Sequence, residues 1–295
     1  MPTVRWLQRS VAAWLVGTAT GLGVAGADAA AGEPQRVDAA RIMNDLMTGR
    51  GNIGGPFVLT DQRGQPAGPA QWRGKIVLLY FGYMSCPDAC PTDLAAIGAA
   101  IDLLGPLGSE VQPVFITLDP ARDKPELIGR YAETFHPRFA ALSGSEAQTK
   151  KVATAYKVYF EKVPVRGTNQ YSIDHTSFTY VLDAEGTFAG FFPPGTSGTR
   201  MAERVRAMLY NKLGRHPDAE AVLAKLKAGY GDAQAYQYAT IYAQLGDTHK
   251  AVEWLETALR VRDAGLGDLK SDPLLDPLRK EPRFQAVERQ LKFPN

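Results

Sequence analysis

The spacing of apolar residues changes near Gly214, and that change limits this chain more than any other feature. Upstream, apolar runs of strand length alternate with stretches of helical period. Downstream, strand signals stop and the chain reads as helices to its end. One continuous sheet cannot serve both parts, so the sequence predicts two differently built cores. Upstream, strands are expected at residues 56–61, 76–81, 111–118 and 159–165, with a short buried edge at 139–143. Helices are expected at 92–104, 124–135, 145–156 and 200–210. Residues 177–183 and 187–192 flank Ala184-Glu185-Gly186, a strong hairpin signal. Strands alternating with helices and closed by a hairpin imply an α/β unit, a mixed sheet with helices on both faces.

The downstream part, 214–295, is expected to be all-α. Small residues at Ala239, Ala251 and Ala258 let two helices approach, and Tyr242, Leu245, Trp254 and Leu255 fill the gap between them. Residues 232–263 resemble one tetratricopeptide repeat, with a partial copy at 217–229 and a closing segment over 272–284. Stacked helical pairs form peptide grooves, so this part either recruits a protein partner or caps the first unit.

The N-terminus has the layout of an exported protein. Arg5 and Arg9 bracket a short basic region, an uncharged stretch runs from Ser10 to Ala27, and small residues follow to Ala31. Residues 1–31 therefore read as a signal peptide, with an uncleaved N-terminal anchor as the alternative, and residues 32–54 as a linker holding a short helix at 39–47. Either way the expected location is periplasmic or otherwise extracytoplasmic, with inner-membrane attachment only if the anchor is retained. Over 295 residues the net charge is +2 and 22% of residues are charged, which gives no case for nucleic acid as a partner.

The only two cysteines, Cys86 and Cys90, sit between the apolar run 76–81 and the helix expected from Thr92. If that segment is helical, positions i and i+4 face the same way. A helix N-terminus favours the thiolate, the form that binds metals and attacks disulfides. A ring this small closes little chain entropy, so a structural disulfide would stabilise weakly. A redox pair and a metal-binding pair both remain open. Of four histidines, His216 and His249 lie in the helical part and His136 ends a helix. His175, in Ser172-Ile173-Asp174-His175-Thr176, precedes the hairpin and taken alone reads as a polar loop residue.

Three segments, in order and at matching spacing, resemble the Sco/SenC family. They are Gly82-Tyr83-Met84-Ser85-Cys86-Pro87-Asp88-Ala89-Cys90-Pro91, Thr117-Leu118-Asp119-Pro120-Ala121-Arg122-Asp123-Lys124-Pro125 and Asp174-His175-Thr176-Ser177. The resemblance covers 55–210. It implies a thioredoxin-like fold over 55–213, copper as Cu(I) or Cu(II), and a role in assembling the copper centre of cytochrome c oxidase, with an oxidase subunit as acceptor. Carried over, Cys86, Cys90 and His175 are the metal ligands. Asp174 and Asp119 become outer residues of the site, Asp174 orienting His175 and Asp119 lying near the metal. Asp123 is expected to cap the following helix and Met84, where the family often has threonine, to pack in the core. The helical extension departs from the typical family member.

The donor set agrees with that implication, since Cu(I) prefers thiolates and imidazole suits both copper states. The competing reading is a thiol–disulfide oxidoreductase of the same fold, with Cys86 and Cys90 as the redox pair. Redox thioredoxins carry C-x-x-C and a cis-proline facing it, whereas His175-Thr176 occupies the position resembling that proline. A third reading is a scaffold acting through the helical part.

Overall fold

The computed structural model describes residues 53–270 and 272–292. The expected leader or anchor, nearly all of the linker and the short helix at 39–47 lie outside those residues. The first strands are β1 (Leu59–Asp61), β2 (Pro66–Ala67) and β3 (Ile76–Gly82). All seven residues of β3 are buried. A strand covered on both faces needs such an unbroken apolar run, and β3 is central. It pairs in parallel with β4 (Val111–Thr117) and antiparallel with β8 (Thr179–Leu182). With β5 (Ala140–Ser143) and β9 (Phe188–Phe192) the sheet runs β2-β1-β5-β4-β3-β8-β9.

The expected edge at 139–143 is an interior strand. β1 pairs outside β5, and β2 forms the true edge. Around the sheet lie α1 (Ala89–Leu104), α2 (Pro125–Glu133), α3 (Glu146–Ala155) and α4 (Gly198–Lys212). α3 opens on the one full capping box in its unit, where Ser145 and Gln148 satisfy each other's backbone donors. The N-terminus of α4 sits so close to α1 that a methyl group on Gly198 would lie 2.8 Å from the Ala96 carbonyl oxygen.

A second, two-stranded sheet stands apart from the first. It joins β6 (Phe160–Pro164) to β7 (Tyr171–His175), with Phe160 opposite His175 and Pro164 opposite Tyr171. The sequence pattern did not predict β7. Only Ile173 of its five residues is fully buried, so its apolar signal is a single residue long.

The helical part contains α5 (His216–Tyr230), α6 (Ala235–Gln244), α7 (Thr248–Val261) and α8 (Pro282–Leu291). Leu223, Tyr238, Ala239, Leu255, Ala258 and Phe284 share an apolar cluster distinct from that of the sheet. Tyr238 and Trp254 meet edge to face at 4.8 Å between ring centres. A short segment after α7 returns to the first unit. Asp272 accepts from Arg204 of α4 and from the Tyr236 hydroxyl of α6, and Leu274 enters the sheet unit's core.

Candidate metal centre

The site begins where β3 ends. Gly82 is required there by close approach: a methyl group on it would lie 2.8 Å from Cys90 Sγ and 3.0 Å from the Tyr80 ring. The chain then turns, with the Cys86 amide donating to the Tyr83 carbonyl at 3.2 Å. α1 starts at Ala89, three residues earlier than the sequence predicts, behind an Asp88 whose side chain makes no cap. Cys90 thus lies in the first helical turn while Cys86 lies before the helix. The expected i, i+4 pairing on one helix face is replaced by a turn that folds Cys86 over the helix N-terminus.

That placement sets the protonation of the pair. The Cys90 amide, one of the donors a helix N-terminus leaves without an intrahelical partner, donates to Cys86 Sγ at 3.5 Å. The Cys86 thiol is pushed down to about 3, first by its hydrogen bond with Cys90, then against burial by His175 and the amides of Asp88 and Cys90. The Cys90 thiol is pushed up, by the same bond to Cys86 and by burial. Cys86 is half-buried and Cys90 fully buried, and both are free thiols. The two shifts run in opposite directions, so Cys86 is the thiol that ionises first and Cys90 the one that keeps its proton longer.

β7 brings the third donor. His175 Nε2 lies 3.5 Å from Cys90 Sγ. Its Nδ1 lies 3.0 Å from the Thr176 carbonyl oxygen, which can only accept. Nδ1 therefore carries a hydrogen, and Nε2 is the ring nitrogen that faces the sulfurs. The Tyr83 ring meets the imidazole edge-on at 5.9 Å. The ligand atoms of Cys86, Cys90 and His175 all lie within 4.8 Å of one another, the one such cluster among the described residues. Two sulfurs and an imidazole nitrogen form a soft donor set suited to a thiophilic ion such as copper or zinc.

The acidic residues depart from expectation. Asp174 is exposed and does not orient His175; alternation along β7 turns it away from the imidazole, and the Thr176 carbonyl holds Nδ1 instead. Asp119 is fully buried but does not join the donors. Its carboxylate accepts from the Tyr171 hydroxyl at 2.8 Å and from Arg122 Nε. Asp123 is not a helix cap, a position held by Lys124. Its Oδ2 accepts from the Met84 amide at 3.0 Å and from the Thr117 hydroxyl at 2.6 Å, tying the cysteine turn to the end of β4. Met84 packs partly buried against the core, as expected.

Asp93 was missed by sequence reasoning. It is 2% exposed, accepts from the Tyr80 hydroxyl at 3.2 Å and from the Gly195 amide at 2.9 Å, and burial raises its carboxyl. The available signal was a carboxylate three residues after Cys90 on the face of α1 that enters the core. The remaining histidines lie elsewhere: His136 accepts from the Arg138 amide behind α2, and exposed His249 faces Glu253.

Comparison with known proteins identifies the family of the sheet unit. The SCO1/SenC family model matches residues 46–210, more than half of the chain. The chain belongs to the SCO1/SenC family. Within the family it is similar to the SCO2-like protein of Rickettsia prowazekii, at 44% identity over 141 residues that cover 48% of this chain and 69% of that protein. It is 38% identical to the human mitochondrial SCO2 homolog over 154 residues, 52% of this chain and 58% of that one. Among solved structures, Arabidopsis thaliana ScoI with copper bound matches at TM-score 0.51 and 35% identity, covering 53% of this chain and 98% of that one. The family fold thus accounts for the thioredoxin-like sheet unit, and the helical part lies outside the matched region.

Proposed function

We propose that this protein binds copper through Cys86, Cys90 and His175 and serves in cytochrome c oxidase assembly, handing the metal to an oxidase-type copper centre. The observation that carries the reading is the convergence of three soft or borderline donors within 4.8 Å, with the Cys86 thiol pushed toward its thiolate form. Family membership and the copper-bound Arabidopsis relative support the same ion. Copper supplies a thiophilic centre when bound; the chain's part is to favour the thiolate at Cys86, to turn Nε2 of His175 toward the sulfurs by holding Nδ1 at the Thr176 carbonyl, and to close the far side with Gly82 and the Tyr80 ring. Cys86, half-buried, gives an acceptor its approach, while Cys90 holds the site's floor.

On this reading residues 55–213 are the copper-binding unit and 214–295 an appended helical unit available to a protein partner. Residues 1–31 direct the protein to an extracytoplasmic compartment as signal peptide or anchor. There the oxidised Cys86–Cys90 disulfide is the state that cannot load. The test is copper stoichiometry of the reduced protein beside His175→Ala. Wild type is expected to bind one copper per chain, and the variant to bind more weakly with a changed spectrum; identical binding and spectra would overturn the three-donor reading.

One observation favours a second reading. A half-buried free thiol lowered toward its thiolate beside a buried partner thiol is also how a dithiol reductant is poised. If the protein reduces partner disulfides, a dithiol assay survives His175→Ala and is lost with Cys86→Ser.

A further inference from the structure

The three donors come from two bodies. The thiols sit on the main sheet and α1, whereas His175 sits on the separate β6–β7 sheet. Something must hold the two bodies in register, and the loop between β4 and α2 does so from both sides. Toward the thiols, Asp123 Oδ2 accepts from the amide of Met84, two residues before Cys86. Toward β7, Asp119 Oδ1 accepts from the Tyr171 hydroxyl at 2.8 Å, Arg122 Nη1 donates to the Tyr171 carbonyl at 2.9 Å, and the Arg122 guanidinium stacks 3.8 Å from the Tyr171 ring centre. Arg122 Nε closes the group by donating to Asp119. At the end of β4, Thr117 ties the Asp123 carboxylate to the Asp119 backbone, since its hydroxyl donates to Asp123 and accepts from the Asp119 amide. Alternation puts Tyr171 on the same face of β7 as His175, four residues away.

We propose that Asp119, Arg122 and Tyr171 form a positioning clamp that holds His175 in register with the thiols, so that its release withdraws the imidazole and leaves the thiol pair intact. The proposal rests on the copper reading of the site. The clamp engages one strand of β6–β7 by its backbone, its ring and its hydroxyl together. The other charged tie from this sheet to the main body, Lys162 to Glu146 at 2.9 Å, is exposed and therefore weak. The clamped state is also one bond short, because Arg122 Nη2 is buried without a partner. Clamp release would turn a three-donor site into a two-donor one, the change a donor protein needs when it gives up its metal.

The test uses the full chain carrying Tyr171→Phe, which removes the hydroxyl and keeps the ring, or Arg122→Met. Glu146→Ala serves as control. Two readouts are taken: Cu(II) affinity with the nitrogen coupling of its paramagnetic spectrum, and the nuclear Overhauser contact between Tyr83 and His175 in the reduced, metal-free protein. The expected result is roughly tenfold weaker Cu(II) binding in each clamp variant, the scale of one hydrogen bond to a charged group. The nitrogen coupling should weaken, the Tyr83–His175 contact should fade, and Glu146→Ala should match wild type. Conserved affinity, coupling and ring contact in Tyr171→Phe would overturn the clamp, and that variant decides alone if Arg122→Met does not fold. Failure of wild type to bind copper would instead overturn the copper reading, and the metal-free ring contact would still decide the clamp.

Discussion

The chain contains two apolar cores that use the same residue types to different ends. The sheet unit builds its core from contiguous strands, then interrupts it at the end of β3 with a glycine, a turn and two thiols. The helical unit interlocks Tyr238, Leu255 and Phe284 without interruption, and among the described residues it holds no cluster of metal-binding side chains. Chemistry sits where secondary structure stops. At the β3–α1 junction, a helix amide with no intrahelical partner and a missing Cβ leave room and polarity for sulfur; the helical unit's turns are filled by caps such as Asp247.

The contrast can be broken most forcefully in the helical unit. Phe284→Ala empties a fully buried site and should destabilise that unit by about 3–5 kcal/mol in thermal unfolding. Copper binding below the transition should be unchanged. A parallel loss of copper would show that the joint through Arg204, Asp272 and Tyr236 makes the two cores one.

Gly82→Ala probes the other side of the comparison. The added methyl would press on Cys90 Sγ and the Tyr80 ring, and overpacking of this kind costs about 1–3 kcal/mol. The expected outcome is a lower melting temperature together with weakened copper affinity. A melting shift with unaltered affinity would mean that the turn absorbs the methyl away from the sulfurs.

The smallest expected effect is at the Asp247 cap of α7. Asp247→Ala should cost about 1 kcal/mol, with the site untouched. The Lys250 amide, donating to Asp247, holds that carboxyl below its usual range. A depressed carboxyl contributes stability above its unfolded value and loses it as pH falls through the folded one. The gap between wild type and variant in chemical denaturation should therefore narrow in acid. A gap independent of pH would assign the cap to backbone geometry instead of charge.

The sheet was legible because its central strands are unbroken apolar runs, a pattern that survives without knowledge of their neighbours. β7 was not, since one buried residue among five carries no periodicity. The three donors came from a family resemblance, and local spacing alone left His175 a loop residue. The acidic residues were misread for a different reason. Asp123 acts on Met84 across 39 positions, Asp119 on Tyr171 across 52, and Asp93 on Gly195 across 102. Such contacts exist only once the sheet order is fixed. Asp174, adjacent to His175 in sequence, looked the better partner for the imidazole. Strand alternation turns it outward.

The central claim is that one sheet-borne thiol pair and one hairpin-borne imidazole form a single site. X-ray absorption at the copper edge, on reduced Cu(I)-loaded protein beside His175→Ala, tests it most directly. The account predicts a first shell of two sulfurs and one nitrogen in wild type, with the nitrogen lost in the variant. A wild-type shell of sulfur alone, identical in the variant, would contradict it.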